Sequence, residues 1–588
     1  MVTEAVLSSP TIPEKAGAAS SSRARVFGIA ESWAVALAVA GVMALRIVYA
    51  FVYRVDSDEP QHLHVVWGWA HGLLQYRDLF DNHSPLFQML CAPLMWLLGE
   101  HAWIVAPMRL AMLPLYMADL WLLYLIGRAL YVQRWGVWMA IVAGCVPPFF
   151  LVTTEFRTDD LWTTLWLAAV WLAVSAPVAG RRAFLFGLTM GACFAVSMKT
   201  TLLLLSIGAG AAGLMALHAL SRRKTEPVAT LKSAGLIVLG LLIVPALVIG
   251  FFGLHGMPVL KQMYYCVIAH NASVPGLGKW SKPGLHQWLF PLSLPVLFGL
   301  GWLSMHSSAS ERIGAGRALI VMTCGAYYFL LRGYWPLVTA QDYTPVWPLF
   351  ALTVLPFLFH LLSLTGWPAR VMIPTAGLLL LGCEGAWAYA RHVQSPFDNE
   401  MAPFEQDLGV VLRLTNPDDL VMDGKGETIF RNRPIYWVLE GVTLRRMELG
   451  TIPDDMIEKM IEKRTCVALN HRLYRKAKDK AEPKNEKWLR ANFLEGEGKV
   501  WVAGQRLGPA RPTMDFHTDI KAAYSILSDA GKLAGTLDGA PLAESQAIAP
   551  GDHRLEIAAG KGNIALVWTQ AIERGFTPFR TPPHPSLP

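Results

Sequence analysis

Three carboxylates stand together at Asp56, Asp58 and Glu59, in the run RVDSDEPQHLHVVW that follows directly on an apolar stretch of membrane-crossing length. Near hydrocarbon a carboxylate loses solvation unless it is paired, binds a cation or abstracts a proton, so the cluster is a candidate for chemistry as well as a solvated helix end. A second acidic run, EFRTDDLW, supplies Glu155, Asp159 and Asp160 around Arg157. One of its aspartates can cap the next helix by accepting from free backbone N–H groups, which leaves the other available. The cations that could complete such a site are Lys199 in SMKTT, Arg332 in LLRGYW and His83 in DNHSPLF. Each alone suits a snorkelling side chain; gathered on one side of a membrane they suit a phosphate group.

The elements that position these residues follow from composition. With 53% hydrophobic and 16% charged residues over 588 positions, the chain is too apolar for an ordinary soluble protein and too long for one core. Apolar runs of about 20 residues, such as 34–51 and 233–252, match a ~30 Å hydrocarbon layer crossed as helix. The formal charge of +7 is not a nucleic-acid footprint, because Lys and Arg are spread between apolar runs and are not gathered with aromatics on one face. Of the seven cysteines, Cys91, Cys145, Cys193, Cys324 and Cys383 lie in apolar segments, leaving Cys266 and Cys466 and no disulfide framework.

Basic residues set the orientation, since Lys and Arg are retained on the cytoplasmic side. Arg23 and Arg25 hold the tail, residues 1–27, inside, and the first span at 28–51 reads as an uncleaved membrane segment. Residues 53–106 then lie outside, with the short apolar piece 86–99 lying in the interface. Spans at 107–125, 136–154 and 161–178 put Arg128, Arg134, Arg181 and Arg182 inside, and a tight pair at 183–196 and 201–220 leaves Lys199 outside, before Arg222, Arg223 and Lys224. Five more, at 233–252, 288–305, 318–331, 345–364 and 371–390, bring the total to about 11. Both acidic runs and all three cations then share the outer face.

After Arg391 charges become frequent, and DDLVMDGKGETIFRNRPIYWVLEG alternates short β-like runs with turn residues. Residues 391–510 read as an α/β domain and 511–588, with GTLDGAPL and APGDHRLEI, as a β-rich module, both on the outer side. The basic run 472–487 reads as a solvated helix face, with attraction to anionic lipid headgroups as the sharper alternative.

The order of these signals carries a resemblance. The DE pair followed by YRDLFDNHSPLF in the first outer loop, RTD after the third span, the Lys after a short fifth span, and QDYTPVWP opening a late span resemble the GT-C superfamily of membrane glycosyltransferases. Within it they are most similar to the protein O-mannosyltransferase and lipid A aminoarabinose transferase branch, over residues 28–390. The resemblance implies a polytopic α-helical GT-C-like domain that moves a hexosyl or pentosyl unit, with inversion, from a polyprenyl-phosphate sugar to a hydroxyl on a lipid, glycan or protein. The implied base is Asp58, taking the acceptor proton, with Glu59 orienting it or holding an acceptor hydroxyl. Asp159 matches the second acidic residue, and Lys199 and His83, the latter where relatives can carry Lys, would stabilise the leaving lipid phosphate together with Arg332. Asp160, Asp342 and Tyr343 are further substrate-binding candidates. The chain departs from the pattern at Gln341 and Asp342, where relatives often have a basic residue before the late Tyr, and at His83-Ser84-Pro85, where a double Pro is common.

No cofactor is implied, since the matching branch is metal-independent, although Asp56 and Asp58 with His62 and His64 are residue types that bind a divalent cation. The loop 256–286, with Lys261, Tyr264, Tyr265, His270, Lys279 and Trp280, reads as an aromatic interfacial belt or as a cover over the sugar carrier. A transporter or flippase for lipid-linked glycans is the alternative, and a non-catalytic membrane scaffold is another. The first would place ionisable groups near the bilayer midplane in related repeats. The expected setting is a bacterial-type inner membrane with the C-terminal region periplasmic.

Overall fold

The computed structural model describes residues 28–220, 231–272, 274–277, 288–308, 310–470, 473 and 484–579. Arg23 and Arg25, the inner-loop residues Arg222, Arg223 and Lys224, Lys279 with Trp280, and most of the basic run 472–487 lie outside the described residues. The chain divides into two compact units, one made of Met1–Val48, Ala111–Leu254 and Pro275–Ser395 and the other of Tyr49–Leu110, His255–Val274 and Pro396–Pro588.

Among the described residues seven helical segments are long and apolar enough to cross a membrane: Ile29–Val52, Val105–Leu130, Thr200–Leu220, Leu231–Leu254, Leu289–His306, Glu311–Tyr334 and Val371–Ala390. The protein is thus a multi-pass membrane protein. Length and composition account for seven of the about 11 expected crossings. The other expected spans fall in helices with identifiable limits. Gln133–Cys145 gives way to a separate short helix, Pro147–Val152, at the Pro147-Pro148 pair, and Thr158–Ser175 carries Asp159 and Asp160 in its first turn. Arg181–Val196 and Trp347–Ser363 are 16 and 17 residues long.

The first unit is held together by close helix packing. Gly187 and Gly191 lie one turn apart on Arg181–Val196 and face the backbone of Leu231–Leu254. A Cβ at Gly191 would stand 2.5 Å from the Leu241 carbonyl oxygen, and one at Gly187 would collide with that of Ile237. Small residues at such crossings let two backbones meet where lipid supplies no hydrophobic drive. Trp135, Trp138, Trp162 and Trp166 fill this unit's interior.

The second unit contains two sheets. Its strands are β1 (Val421–Met422), β2 (Val467–Leu469), β3 (Phe493–Glu495), β4 (Val500–Pro509), β5 (Thr513–Thr518), β6 (Ala522–Ser528), β7 (Ala534–Leu537), β8 (Ala540–Pro541), β9 (Gln546–Ile548), β10 (Gly551–Ala559) and β11 (Asn563–Trp568). The larger sheet runs β1-β2-β4-β11-β6-β9 with β3 also paired to β4, and the smaller runs β5-β10-β7-β8. β1 and β2 are parallel, which the intervening helices Gly441–Glu448 and Met456–Glu462 make possible. The expected break near residue 510 falls at the end of β4. However, β4 pairs with β11 from Asn563↔Pro509 onward, so strands from both sides of that point share one sheet.

The first-loop helix Glu59–Ala70 belongs to the same unit, with every residue from Glu59 to Gly68 buried. The loop after β1 packs against it. Gly426, at φ +82°, would place a Cβ 3.0 Å from the His64 Cβ and 3.4 Å from the Gln61 Cα, so only glycine fits both the backbone conformation and the approach. This contact decides what the loop delivers to Asp58.

Candidate active site

In the second unit Asp58 precedes the helix Glu59–Ala70 at its N-cap position, yet its side chain makes no capping bond. The carboxylate instead receives the Lys425 ammonium at Oδ1, while its backbone N–H donates to Asp56 Oδ1 at 3.1 Å. The Asp58 side chain keeps 20% exposure and that of Lys425 9%. Glu59 is turned away from solvent. Arg109 donates to both of its oxygens, Nε to Oε1 at 2.7 Å and Nη2 to Oε2 at 2.6 Å, with both side chains fully buried. The same guanidinium donates to the Tyr53 and Arg54 carbonyls at 2.7 and 2.8 Å, so this bidentate pair fixes the turn that leads into Asp58.

His83 lies in the same unit, and a carboxylate that sequence reasoning did not single out governs it. Asp81, fully buried, meets His83 Nδ1 at 2.7 Å and accepts from three carboxamides, Gln61 at 3.0 Å, Gln75 at 2.8 Å and Gln88 at 3.1 Å. The imidazole therefore carries its proton on Nδ1, and the opposite ring nitrogen is the one presented elsewhere. Asn82 extends the network by donating to Glu440 Oε1 at 3.1 Å, which His270 Nε2 also meets at 3.3 Å. Burial raises the Glu440 carboxyl, but the His270 hydrogen bond and the Lys425 charge outweigh it and hold the group below its ordinary range. His270, read from sequence as part of an interfacial belt, is buried and stacks on Trp437 with centroids 6.0 Å apart.

The loop bearing Lys425 is itself pinned. Asp423 Oδ1 accepts from Gly426 N at 2.7 Å, and Asp423 Oδ2 from Thr428 N and Oγ1 at 2.9 and 2.6 Å. Burial, with Glu427 adding to it, pushes the Asp423 carboxyl up to about 6 against the pull of Arg433. His64 Nδ1 meets the Ile429 carbonyl at 2.7 Å. Among the described residues His62 and His64 do not join Asp56 and Asp58 in a group of three or more metal-ligating side chains.

The first unit assembles the other candidates. Lys199, just before the helix Thr200–Leu220, places Nζ 2.5 Å from Asp342 Oδ1 and 3.7 Å from Asp159 Oδ1. Asp342 also accepts from Thr339 N at 2.7 Å and from Thr339 Oγ1 at 3.0 Å, and Asp159 is shared with Arg157 at 3.3 Å. The departure at Asp342 from a basic residue thus gives Lys199 a partner. Arg332 and Tyr343 form a separate pair, Nε to the phenol oxygen at 3.2 Å, with the guanidinium over Tyr328. Asp160, next to Asp159 in sequence, is buried and has no hydrogen-bond partner on either carboxylate oxygen. Arg46, which no motif marked, is buried in the first span and donates from Nη1 to Phe150 O, Thr153 Oγ1 and Thr154 Oγ1 at 2.7 to 2.9 Å, tying the turn ahead of Asp159.

Sequence reasoning missed Lys425, Glu440, Asp81 and Arg109. The signal for Lys425 was the Gly-Lys-Gly step directly after Asp423, a cation offered on a glycine turn. For Asp81 it was the Asp-x-His spacing inside DNHSPLF.

No family model matches the sequence, and no curated protein does. Solved structures do resemble it. The crystal structure of ArnT from Cupriavidus metallidurans bound to undecaprenyl phosphate aligns with TM-score 0.52 at 11% identity, covering 75% of this chain and 94% of that one. The apo form of the same protein aligns at 0.46 and 12%, over 75% and 93%. An oligosaccharyltransferase from Archaeoglobus fulgidus tethered with an acceptor peptide aligns at 0.42 and 12%, over 68% and 64%. At this level of identity the ArnT likeness speaks to architecture, and the chain has the fold of the GT-C membrane glycosyltransferases.

Proposed function

We propose that the protein is a glycosyltransferase that moves a hexosyl or pentosyl unit from a polyprenyl-phosphate carrier to a hydroxyl acceptor, with inversion, at the outer face of the inner membrane. The observation that carries this reading is Asp58: a carboxylate with no capping duty, at the first-loop position where the resembling branch has its base, on a fold shared with a protein crystallised with undecaprenyl phosphate. In the reaction the acceptor oxygen bonds to the anomeric carbon as the bond from that carbon to the phosphate oxygen breaks. The acceptor proton passes to Asp58, and the electron pair leaves with the polyprenyl phosphate.

Glu59 and Arg109 hold the turn that aims Asp58, and Asp81 holds His83 at Nδ1, so that the imidazolium form would donate to the phosphate from Nε2–H. In the first unit Lys199, set by Asp342 and Asp159, and Arg332, set by Tyr343, are the remaining cations for developing phosphate charge. No metal or other cofactor is invoked. The acceptor is a lipid, glycan or protein hydroxyl, and the periplasmic C-terminal region binds or presents it. The test is the lipid-linked sugar and glycan profile of cells carrying the wild type or Asp58→Asn. Loss of one glycosylated product with accumulation of its lipid-linked precursor supports the reading, and an unchanged profile at normal protein level rejects Asp58 as base.

A further inference from the structure

Lys425 comes from the C-terminal region, far along the chain from the first-loop residues, and it is delivered rigidly. Its residue is buried at 8% exposure, its own N–H donates to Glu427 at 2.5 Å, and the flanking Gly426 is wedged against the helix Glu59–Ala70. Leu439 N also donates to the Gly424 carbonyl at 2.6 Å, so the turn is tied on both sides. The ammonium nevertheless rests on Asp58, the carboxylate assigned to accept a proton. A base in contact with a cation is a weak base, because the cation's N–H groups occupy its lone pairs and its charge favours the unprotonated form. Such a pair suits catalysis only if the cation has another anion to move to.

The reaction proposed above brings one anion to this site, the phosphate of the sugar carrier. We propose that Lys425 is a phosphate-binding cation for the polyprenyl-phosphate substrate, which rests on Asp58 and transfers to the phosphate when substrate binds, releasing Asp58 from the ion pair. The inference rests on the glycosyltransferase reading and deepens it. The chemistry of the side chain fits the exchange: an ammonium is a compact charge on a flexible four-carbon stem with three rotatable donors, so it can change partners while its backbone stays fixed. The exposures agree, since the Asp58 side of the pair, at 20%, is where an incoming anion has access. Of the other anions close by, Glu440 feels the Lys425 charge but is also met by His270 and Asn82, Glu427 accepts from the Lys425 backbone N–H, and Asp81 is met by His83. No covalent bond changes in the swap, and the ammonium keeps its three protons.

The experiment measures binding of undecaprenyl phosphate to the full chain in lipid nanodiscs. Lys425→Met is expected to weaken it by about tenfold or more, through loss of a charge-assisted contact. Asp58→Asn, which removes the competing anion, is expected to tighten it by about threefold or more when Lys425 is present and by clearly less in the Lys425→Met background. Wild-type affinity in Lys425→Met, or equal gains from Asp58→Asn in both backgrounds, overturns the inference while leaving the glycosyltransferase reading intact. If Lys425→Met does not fold, Asp58→Asn alone decides, and unchanged affinity there sinks the exchange. Competition by inorganic phosphate as effective as by the lipid would assign the cation to free phosphate and overturn the lipid-linked assignment. A wild type that does not bind undecaprenyl phosphate at all would count against the glycosyltransferase reading itself.

Discussion

Lys199 and Lys425 are both lysines set against carboxylates, but they are embedded differently. Lys199, in the helical unit, sits between Asp342 and Asp159, and each of these has a further partner in Thr339 or Arg157. Its charge is spread over a network, so removing any one member leaves others to compensate. Lys425, in the second unit, meets the carboxylate that the proposed chemistry needs, on a turn fixed by backbone bonds to Asp423 and Glu427. A carboxylate that also holds other donors resists losing its cation, whereas a cation resting on a proton acceptor is poised to exchange when a stronger anion arrives. The comparison sets a cation shared between two partnered carboxylates in the first unit beside one set on the proposed base in the second.

The sharpest way to break this comparison is at Asp58. Asp58→Asn is expected to lower transfer by about 10²–10⁴-fold, the range for loss of a general base, with little change in thermal stability because the amide still accepts from Lys425. Turnover of lipid-linked sugar by purified protein, read beside its melting temperature, checks both halves. A variant that lost stability and rate together would make Asp58 a structural residue and not the base.

The next effect, on stability, is at the pair that aims Asp58. Arg109→Met leaves the fully buried Glu59 carboxylate without its counter-charge, though the Asp56 N–H still donates to it at 3.2 Å, and removes the guanidinium from the Tyr53 and Arg54 carbonyls. Breaking a buried pair from one side costs about 3–5 kcal/mol. Thermal unfolding of the detergent-solubilised chain should register it. Lys199→Met is expected to cost less, about 2 kcal/mol, because Arg157 and Thr339 remain for Asp159 and Asp342. Equal losses at the two sites would show that the shared partners around Lys199 compensate no better than those around Arg109.

How much of this was legible in the sequence follows the same division. Lys199, Asp159 and the acidic first loop were readable because a charge at the end of a 20-residue apolar run stands out against its surroundings. The membrane helices were readable from run length, and the GT-C-like fold from the motif order that resembles that superfamily. Lys425 was not, because it lies in a segment where charges are frequent and only the tertiary approach of Gly426 to His64 and Gln61 singles it out. Arg109 was hidden for the opposite reason: it falls inside an apolar stretch whose sequence reads as membrane helix, and its partner is 50 residues away. The sharing of one sheet across residue 510 was equally hidden, since pairing of β4 with β11 is a long-range choice that local turn signals do not encode.

The smallest expected effect concerns pH and the loop that carries Lys425. His64, on the helix Glu59–Ala70, is held neutral by burial and, secondarily, by the Arg433 charge, which lower its pKa to about 4 from 6.5. Its Nδ1 meets the Ile429 carbonyl at 2.7 Å, so the neutral ring latches the far end of the Lys425 loop to the first-loop helix. Above pH 6.5 the ring is neutral in both folded and unfolded chains, and its contribution to stability is complete. As pH falls below 6.5 the unfolded chain takes up a proton that the folded one refuses, and stability is lost progressively until pH reaches about 4. Between pH 7 and pH 5 the loss from this residue is about 2 kcal/mol. His64→Asn removes the titration, so its melting temperature should fall less steeply over that interval than the wild type's, with hydrogen exchange in residues 423–431 rising less as well. Identical slopes would show that folding does not hold His64 neutral.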